Sequence, residues 1–174
     1  MTKVILALLL LLFCGCEPYR KPGTAPLAWN VYFSPRGGGT EAVVEALNRA
    51  TNSVLVQAYS FTSAPIAKAV VEAHRRHLQV AVILDKSQRT EKYSSADFLR
   101  NAGVATFIDS AHAIAHNKVM VIDGSVVITG SFNFTKAAQE NNAENLLVIN
   151  DRELAAKYTA NWKTHLAHSQ SYAD

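Results

Sequence analysis

Short apolar runs alternate with amphipathic stretches through the middle of the chain. Residues 54–59 and 80–84 are apolar and rich in β-branched side chains, so each predicts a buried strand. Residues 64–76 and 94–102 have the spacing of helices, and residues 104–108 return to the strand pattern. This alternation of strands and helices predicts an α/β fold.

The flanking segments extend the pattern in both directions. Thr40 can cap a helix formed by the apolar-spaced residues that follow it. Residues 118–123, 126–129 and 146–149 predict three more strands. Residues 152–168 are long enough for a closing helix. We find no internal repeat, so one compact domain is expected.

The N-terminal stretch has the character of an export signal. Lys3 precedes an apolar run of about ten residues, shorter than the ~20 that a helix needs to cross a bilayer. Residues 1–16 therefore predict a signal peptide, which resembles a lipoprotein signal with Cys16 as the lipidated residue. Proline-rich residues 17–28 predict an extended tether, and the folded domain is expected over 29–170. The expected location is the periplasm, free or membrane-anchored.

Composition and charge exclude few classes of protein. Hydrophobic residues make up 49% of the chain and charged residues 18%, which argues against disorder. The cysteines Cys14 and Cys16 lie in or beside the predicted signal, so the folded domain contains no disulfide. The net charge of +3 permits a polyanionic partner without predicting one.

Two polar residues interrupt an otherwise apolar strand. His116 and Lys118 occupy alternate positions, so their side chains share one face, roughly 6–7 Å apart. One phosphate can contact both. The imidazole can attack phosphorus while the ammonium neutralises the non-bridging oxygens, a pairing that needs no metal.

A second polar group follows a turn and another strand. Gly130 would allow the backbone to approach a ligand closely. Ser131 and Asn133 are again two positions apart and offer hydroxyl and amide donors to phosphate oxygens. These neutral donors would add hydrogen bonds where charge develops.

Taken together, these residues resemble the signature of the phospholipase D superfamily, H-x-K-x4-D-x6-G-S-x-N. The match comprises His116, Lys118, Asp123, Gly130, Ser131 and Asn133. Residues 58–62, 83–88 and 143–145 also look like the family's small bacterial endonucleases, which carry a single motif copy. The resemblance implies an α/β/α sandwich with a mixed central β-sheet.

The resemblance also implies a phosphohistidine mechanism without metal or cofactor. One motif histidine attacks the phosphodiester, a second protonates the leaving oxygen, and water then hydrolyses the intermediate. This chain carries the motif once, so a homodimer is expected in which His116 of each protomer faces the other. The two imidazoles would titrate as a coupled pair.

The two acidic residues of the matched segments receive different roles. Glu144 matches the family position whose carboxylate holds the motif histidine through its other ring nitrogen. Asp123 lies an odd number of positions from His116, so it is expected to point away from the phosphate. Its expected role is structural, holding the turn that follows it.

Other aromatic and imidazole side chains give weaker signals. Tyr59 and Phe61 are candidates for stacking on a base or sugar, although core packing is the commoner fate of such residues. His165 and His168 lie in the closing helix, where a metal pair is not predicted without a carboxylate or cysteine nearby. The sequence therefore predicts no metal site.

The combined prediction is a metal-independent endonuclease for DNA, and in a wider reading RNA. Contacts limited to phosphate oxygens cannot distinguish bases, so no sequence preference is expected. Two alternatives stay open: a phospholipase D acting on lipid phosphodiesters, and a catalytically silent nucleic-acid-binding module. The single motif in a short chain favours the nuclease, and the complete set of motif residues argues against the silent module.

Overall fold

The computed structural model describes residues 28–172. The predicted signal peptide with Cys16, and the predicted tether up to residue 27, lie outside the described residues. Strand β1 begins at Ala28, one residue before the predicted start of the domain. No helix within 28–172 combines the length and apolarity needed to cross a membrane.

The described chain alternates between strands and helices, and every predicted element is present with its ends shifted by two residues at most. In chain order the elements are β1 Ala28–Phe33, α1 Gly39–Arg49, β2 Ser53–Ala58, α2 Ala64–Arg75, β3 Gln79–Asp85, a 3-10 turn Lys86–Arg89, α3 Ala96–Asn101, β4 Ala105–Asp109, β5 Lys118–Ile122, β6 Val126–Gly130, α4 Lys136–Glu140, β7 Asn145–Asn150, α5 Arg152–His168 and β8 Gln170–Ser171. The short elements α4 and β8 were not predicted, because five and two residues carry too little periodicity.

All eight described strands form one mixed sheet in the order β1-β7-β6-β5-β2-β3-β4-β8. Strands β2, β3 and β4 are parallel, and the remaining pairs are antiparallel. The larger core lies between one sheet face and α1 and α2, while α5 covers part of the other face. The fold is therefore the predicted α/β/α sandwich with a mixed central sheet.

The strand directions bring the loops that carry the candidate residues together at one end of the strands, which we call the sheet edge. The last residue of β2, Ala58, pairs with the first residue of β5, Lys118. The last residues of β3 and β4, Asp85 and Asp109, pair with each other at the same edge. Because β5 is antiparallel to β2, the loop that enters β5 lies beside the loops that leave β2, β3 and β4.

Helix α5 is fixed by one buried aromatic residue. Trp162 is buried, and its Nε1 donates a hydrogen bond of 2.9 Å to the carbonyl oxygen of Val56 in β2. Ala155 of the helix packs on Val119, Val121 and Val127 of the sheet. This anchor holds the C-terminal end of α5 over the central strands.

The start of α1 differs from the prediction. Its N-cap is Gly38, in the left-handed conformation with φ 81°, and no side chain caps the helix there. The predicted cap, Thr40, lies inside the helix, and its backbone N–H donates to Gln139 Oε1 at 3.0 Å. The Gln139 side chain of α4 thus accepts from one of the free backbone N–H groups in the first turn of α1, which no neighbouring side chain caps.

Candidate active site

The motif residues His116 and Lys118 lie together where the chain enters β5. His116 is exposed in the loop immediately before the strand, and Lys118, its first residue, is only 6% exposed. Lys118 Nζ donates a hydrogen bond of 2.8 Å to the carbonyl oxygen of His116. This bond places the buried ammonium directly behind the residue that presents the imidazole.

Tyr59 forms one side of this site. Its ring centroid lies 4.6 Å from that of His116, with the rings tilted by 57°, and Lys118 Nζ lies 5.2 Å from the Tyr59 centroid. The Tyr59 backbone N–H also donates to the carbonyl oxygen of Asn117 at 2.8 Å. The aromatic ring therefore orients the imidazole and stabilises the ammonium by a cation–π contact.

The charge of Lys118 is poorly solvated. Burial lowers the pKa of Lys118, and the negative charge of Glu144 opposes part of that change. A charge in a water-poor setting is less screened than one on the surface. Lys118 is thus suited to stabilise negative charge that develops on a bound group.

The end of β6 supplies neutral polar groups. Ser131 is exposed, and its Oγ accepts a hydrogen bond of 3.1 Å from the Asn145 backbone N–H, which leaves the hydroxyl proton available to a ligand. Asn133 is half-buried, and its Oδ1 has no hydrogen-bond partner among residues 28–172. Ser131 and Asn133 follow the end of β6. Because β6 is antiparallel to β5, this end lies beside Lys118 at the start of β5.

Gly130 serves the packing of two strands rather than the approach of a ligand. Its φ is 152°, and a Cβ at this position would collide with the backbone carbonyl oxygen of Asn145 in β7. That same oxygen accepts hydrogen bonds from the backbone N–H groups of Ser131 and Phe132, both at 3.1 Å. Glycine is required here because β7 must come close enough to hold the Ser131 segment.

Glu144 lies close enough for its charge to act on Lys118, and its hydrogen bonds go to other residues than His116. Its Oε1 accepts a hydrogen bond of 3.2 Å from Asn142 Nδ2. Its backbone N–H donates to Ser34 Oγ at 3.1 Å. Within the part of the chain that the structure describes, no hydrogen bond joins Glu144 to His116, so that role stays a prediction.

Asp123 lies at the other end of β5, far from Lys118. It holds the turn before β2, whereas the turn that follows Asp123 was predicted. Its carboxylate accepts four hydrogen bonds of 2.7–3.0 Å from the turn before β2: the backbone N–H groups of Thr51, Asn52 and Ser53, and the Thr51 hydroxyl. Burial alone would raise the pKa of Asp123, but these hydrogen bonds lower it overall. The residue therefore joins two distant segments and takes no part in the phosphate site.

Replacing Asp123 by alanine is expected to destabilise the fold by about 1–3 kcal/mol, because several donors lose a charged acceptor. Folding lowers the pKa of this carboxylate, so its contribution is complete above about pH 4 and is lost as the pH falls through the folded-state pKa. Urea denaturation of wild type and variant from pH 7 to pH 3 measures this. The exposed Glu45→Gln is the control, and a difference between wild type and Asp123→Ala that does not shrink at all as the pH falls from 7 to 3 would contradict the assignment.

Phe61 is not a substrate-stacking residue. Its side chain is fully buried in the larger core, and its ring packs edge-on against Phe134 at a centroid distance of 5.8 Å. An isolated β-bridge joins the same two residues. Of the two aromatic residues predicted to contact substrate, only Tyr59 lies at the site.

Asp85 is a positioning residue that the sequence reasoning missed. It is buried at the end of β3, where its Oδ2 accepts a hydrogen bond of 2.7 Å from the backbone N–H of Ala115. Its neighbour Lys86 donates through Nζ to the carbonyl oxygen of His112 at 3.0 Å. Both contacts fix the loop that presents His116. A carboxylate directly after a buried strand was the available signal.

The expectation that His165 and His168 lack a carboxylate neighbour is wrong. Asp109, fully buried at the end of β4, has its Oδ2 2.7 Å from His165 Nδ1 and 3.2 Å from His168 Nε2. His112 Nε2 lies 3.7 Å from the same oxygen. This group is separate from the site around His116.

Comparison with known proteins gives a consistent result. Residues 43–166 match the family described as "Cardiolipin synthase, PLD-like domain". Among solved structures, the chain is similar to Nuc, a phospholipase D family member from Salmonella typhimurium, with 36% identity, a TM-score of 0.80, and coverage of 84% of this chain and 98% of Nuc. NucT from Helicobacter pylori is 25% identical, with a TM-score of 0.78 and coverage of 84% and 99%.

A curated relative from the same family is longer than this chain. The protein "Phospholipase D" of Rickettsia felis is 44% identical over 130 residues, which is 75% of this chain. The matched region spans only 65% of the Rickettsia protein. The chain therefore matches almost the whole of the two solved structures but about two thirds of this longer relative.

Proposed function

This chain belongs to the phospholipase D superfamily, and on that premise we propose that it is a metal-independent endonuclease that cleaves nucleic-acid phosphodiester bonds. The observation that carries the proposal is the exposed imidazole of His116 beside the buried ammonium of Lys118. An exposed nucleophile can reach phosphorus in a large substrate. The adjacent cation neutralises the phosphate oxygens during attack.

In the proposed reaction, a ring nitrogen of His116 attacks phosphorus and a P–N bond forms as the bond to the leaving oxygen breaks. A second imidazole donates a proton to that oxygen. The same imidazole then removes a proton from water, whose oxygen attacks phosphorus and breaks the P–N bond. Lys118 and the Ser131 hydroxyl stabilise the charged oxygens in both steps.

The second imidazole is proposed to be His116 of a second copy. The other imidazoles at this edge of the sheet, those of His112, His165 and His168, surround Asp109. None of their rings is among the aromatic neighbours of His116, whose ring contact is with Tyr59. A two-fold dimer would supply the missing acid and base from an identical residue.

An uncovered apolar strip gives such a dimer a surface. On β1, Trp29, Val31 and Phe33 are 57%, 37% and 65% exposed, and alternation along the strand places all three on one side. Between them, Tyr32 turns to the other side and packs against the larger core. Phe33 pairs with Asn145 at the edge of the sheet where Ser131 and Lys118 lie. Exposed apolar strips of this kind mark interaction surfaces.

The shortness of the domain and its single motif copy support a nucleic-acid substrate over a lipid, because they are the features that resemble the family's small bacterial endonucleases. Nuc and NucT are covered over 98% and 99% of their chains, whereas the Rickettsia phospholipase D is covered over 65%. The described domain thus corresponds to the short members of the superfamily. The name of that curated relative favours the competing phospholipase activity, and an assay of both substrates separates the two. We further propose export to the periplasm through residues 1–16.

The decisive experiment assays both substrates with the same protein preparation. Supercoiled plasmid and phosphatidylcholine vesicles are incubated with wild type and His116→Gln in excess EDTA, and nicked DNA and released choline are measured. In EDTA supplemented with enough ZnCl₂ to keep free Zn²⁺ available but no free Mg²⁺ or Ca²⁺, wild type is expected to nick DNA within about twofold of the rate in Mg²⁺ buffer, since no chemical step needs a metal. The variant should be inactive.

Each other result has a definite meaning. Choline release without nicking would establish the phospholipase activity instead. DNA binding without turnover would favour the silent binding module. Loss of nicking in EDTA that Mg²⁺ restores and Zn²⁺ does not, with the circular dichroism spectrum unchanged, would contradict the metal-independent mechanism.

A further inference from the structure

Four potential metal ligands converge at the outer part of the sheet, away from the candidate active site. They are Asp109 at the end of β4, His112 in the loop that follows, and His165 and His168 in α5. One ligand atom from each residue lies within 4.8 Å of all the others. His165 and His168 are three positions apart on a helix, so both face the same side.

We propose that Asp109, His112, His165 and His168 form a structural site for a divalent transition-metal ion, with Zn²⁺ as the best match. Three imidazoles and one carboxylate are a ligand set that zinc favours, and four protein ligands complete a tetrahedral shell. A shell without an open position is typical of structural zinc rather than catalytic zinc.

The distances fit this coordination. In a tetrahedral zinc site with bonds of about 2.0–2.1 Å, neighbouring ligand atoms lie about 3.4 Å apart. The three imidazole nitrogens lie 2.7, 3.2 and 3.7 Å from Asp109 Oδ2, on both sides of that value. The three ring centroids are 5.0–5.3 Å from one another, with interplanar angles of 52–77°, so the rings surround a common point without stacking.

The surroundings of the cluster also suit a metal. Asp109 is fully buried, and a buried carboxylate needs a compensating positive charge. Its second oxygen, Oδ1, accepts a hydrogen bond of 3.0 Å from the Ala111 backbone N–H, which fixes the carboxylate in the way that outer-shell contacts fix metal ligands. A hydrogen-bonded network would use two imidazoles, whereas His112 at 3.7 Å approaches the oxygen without a hydrogen bond.

The position of the cluster indicates what the metal would do. Strands β4 and β5 are separated by β3 and β2, so Asp109 and Lys118 are three strand spacings apart, about 14 Å. A metal at Asp109 would therefore not touch a phosphate held by Lys118. It would instead join β4, α5 and the loop from Ser110 to Asn117, which carries His116. The site would stabilise the fold and fix the loop that presents the nucleophile.

The test measures metal binding directly, without substrate, so its outcome is independent of the proposed nuclease activity. Protein without a histidine tag is stripped with a chelator and titrated with ZnCl₂ against a chromophoric competitor. Wild type should bind one Zn²⁺ per chain, with a rise in melting temperature of several degrees. Co²⁺ in place of Zn²⁺ should give the visible absorption of a tetrahedral ion.

The decisive variant removes the two most accessible ligands, His112→Gln with His168→Gln. Zinc affinity should fall at least about 100-fold, since even changes outside the ligand shell cost 10–100-fold. The matched control, His74→Gln with His77→Asn, removes two imidazoles outside the cluster and should bind zinc like wild type. Asparagine suits position 77 because its φ is 65°.

Two results would overturn the proposal. One is wild-type protein that binds no Zn²⁺ above the level of the double variant. The other is undiminished affinity in the double variant. If that variant does not fold, His112→Gln alone decides the question, because His112 lies in an exposed loop and its ring makes no hydrogen bond in the described structure. The single variant His112→Gln should lower the zinc affinity at least about 10-fold.

Discussion

Replacing His116 by glutamine should lower the rate of plasmid nicking by about 10⁴-fold or more while leaving the protein as stable as wild type. The loss is large because the imidazole forms the covalent intermediate, and removal of a nucleophile abolishes both chemical steps. Stability should be unchanged because the side chain is exposed, and within residues 28–172 its ring makes no hydrogen bond. Initial nicking rates of both proteins test the loss of activity, and their thermal denaturation tests the unchanged stability.

The control for this result is His77→Asn, which removes an exposed imidazole far along the chain from the site. It should retain wild-type nicking. Residual activity above about 1% in a carefully purified His116→Gln protein would show that another group attacks phosphorus. Unchanged activity in His116→Gln would remove the basis of the proposed mechanism.

The motif residues could be predicted because their relation is local. His116 and Lys118 are two positions apart, and both lie against the ring of Tyr59, although His116 is in the loop before β5 and not on the strand as predicted. Apart from the short α4, the helices and strands between residues 54 and 168 were equally accessible, because each is long enough to show its own periodicity. The family resemblance then supplied the order of layers that periodicity alone does not give.

Roles that depend on distant segments could not be predicted in the same way. Phe61 and Tyr59 have the same character in the sequence, but a bridge to Phe134 draws Phe61 into the core. Gly130 was interpreted as a ligand contact, and the reason for glycine is the backbone of Asn145, fifteen residues later. In both cases the deciding neighbour comes from another strand or loop.

The metal cluster is the clearest example of this limit. Asp109 and His165 are 56 residues apart in sequence and 2.7 Å apart in space. Seen alone, two histidines on a helix indicate little. Only the packing of α5 against the end of β4 supplies the carboxylate that changes their interpretation.

The apolar strip on β1 should be where two copies meet. Phe33→Glu would place a charge in that surface, and the dimer should dissociate, as measured by light scattering at micromolar concentration. Nicking should fall together with the dimer fraction, since each monomer has one motif imidazole. A fully active monomer would contradict the shared site, and the exposed Glu45→Gln serves as control.

Heterodimers carrying one intact and one mutated His116 should be nearly as inactive as the homodimeric variant. The proposed reaction needs a nucleophile and a separate acid at one phosphorus, so each composite site requires both copies of the imidazole. Wild type and His116→Gln are co-expressed with two different tags and purified through both, which isolates the mixed species. A heterodimer of wild type with His77→Asn controls for tagging and should keep full activity. Half of the wild-type rate in the His116 heterodimer would mean that each subunit cleaves alone, and the second imidazole would then have to come from within one chain.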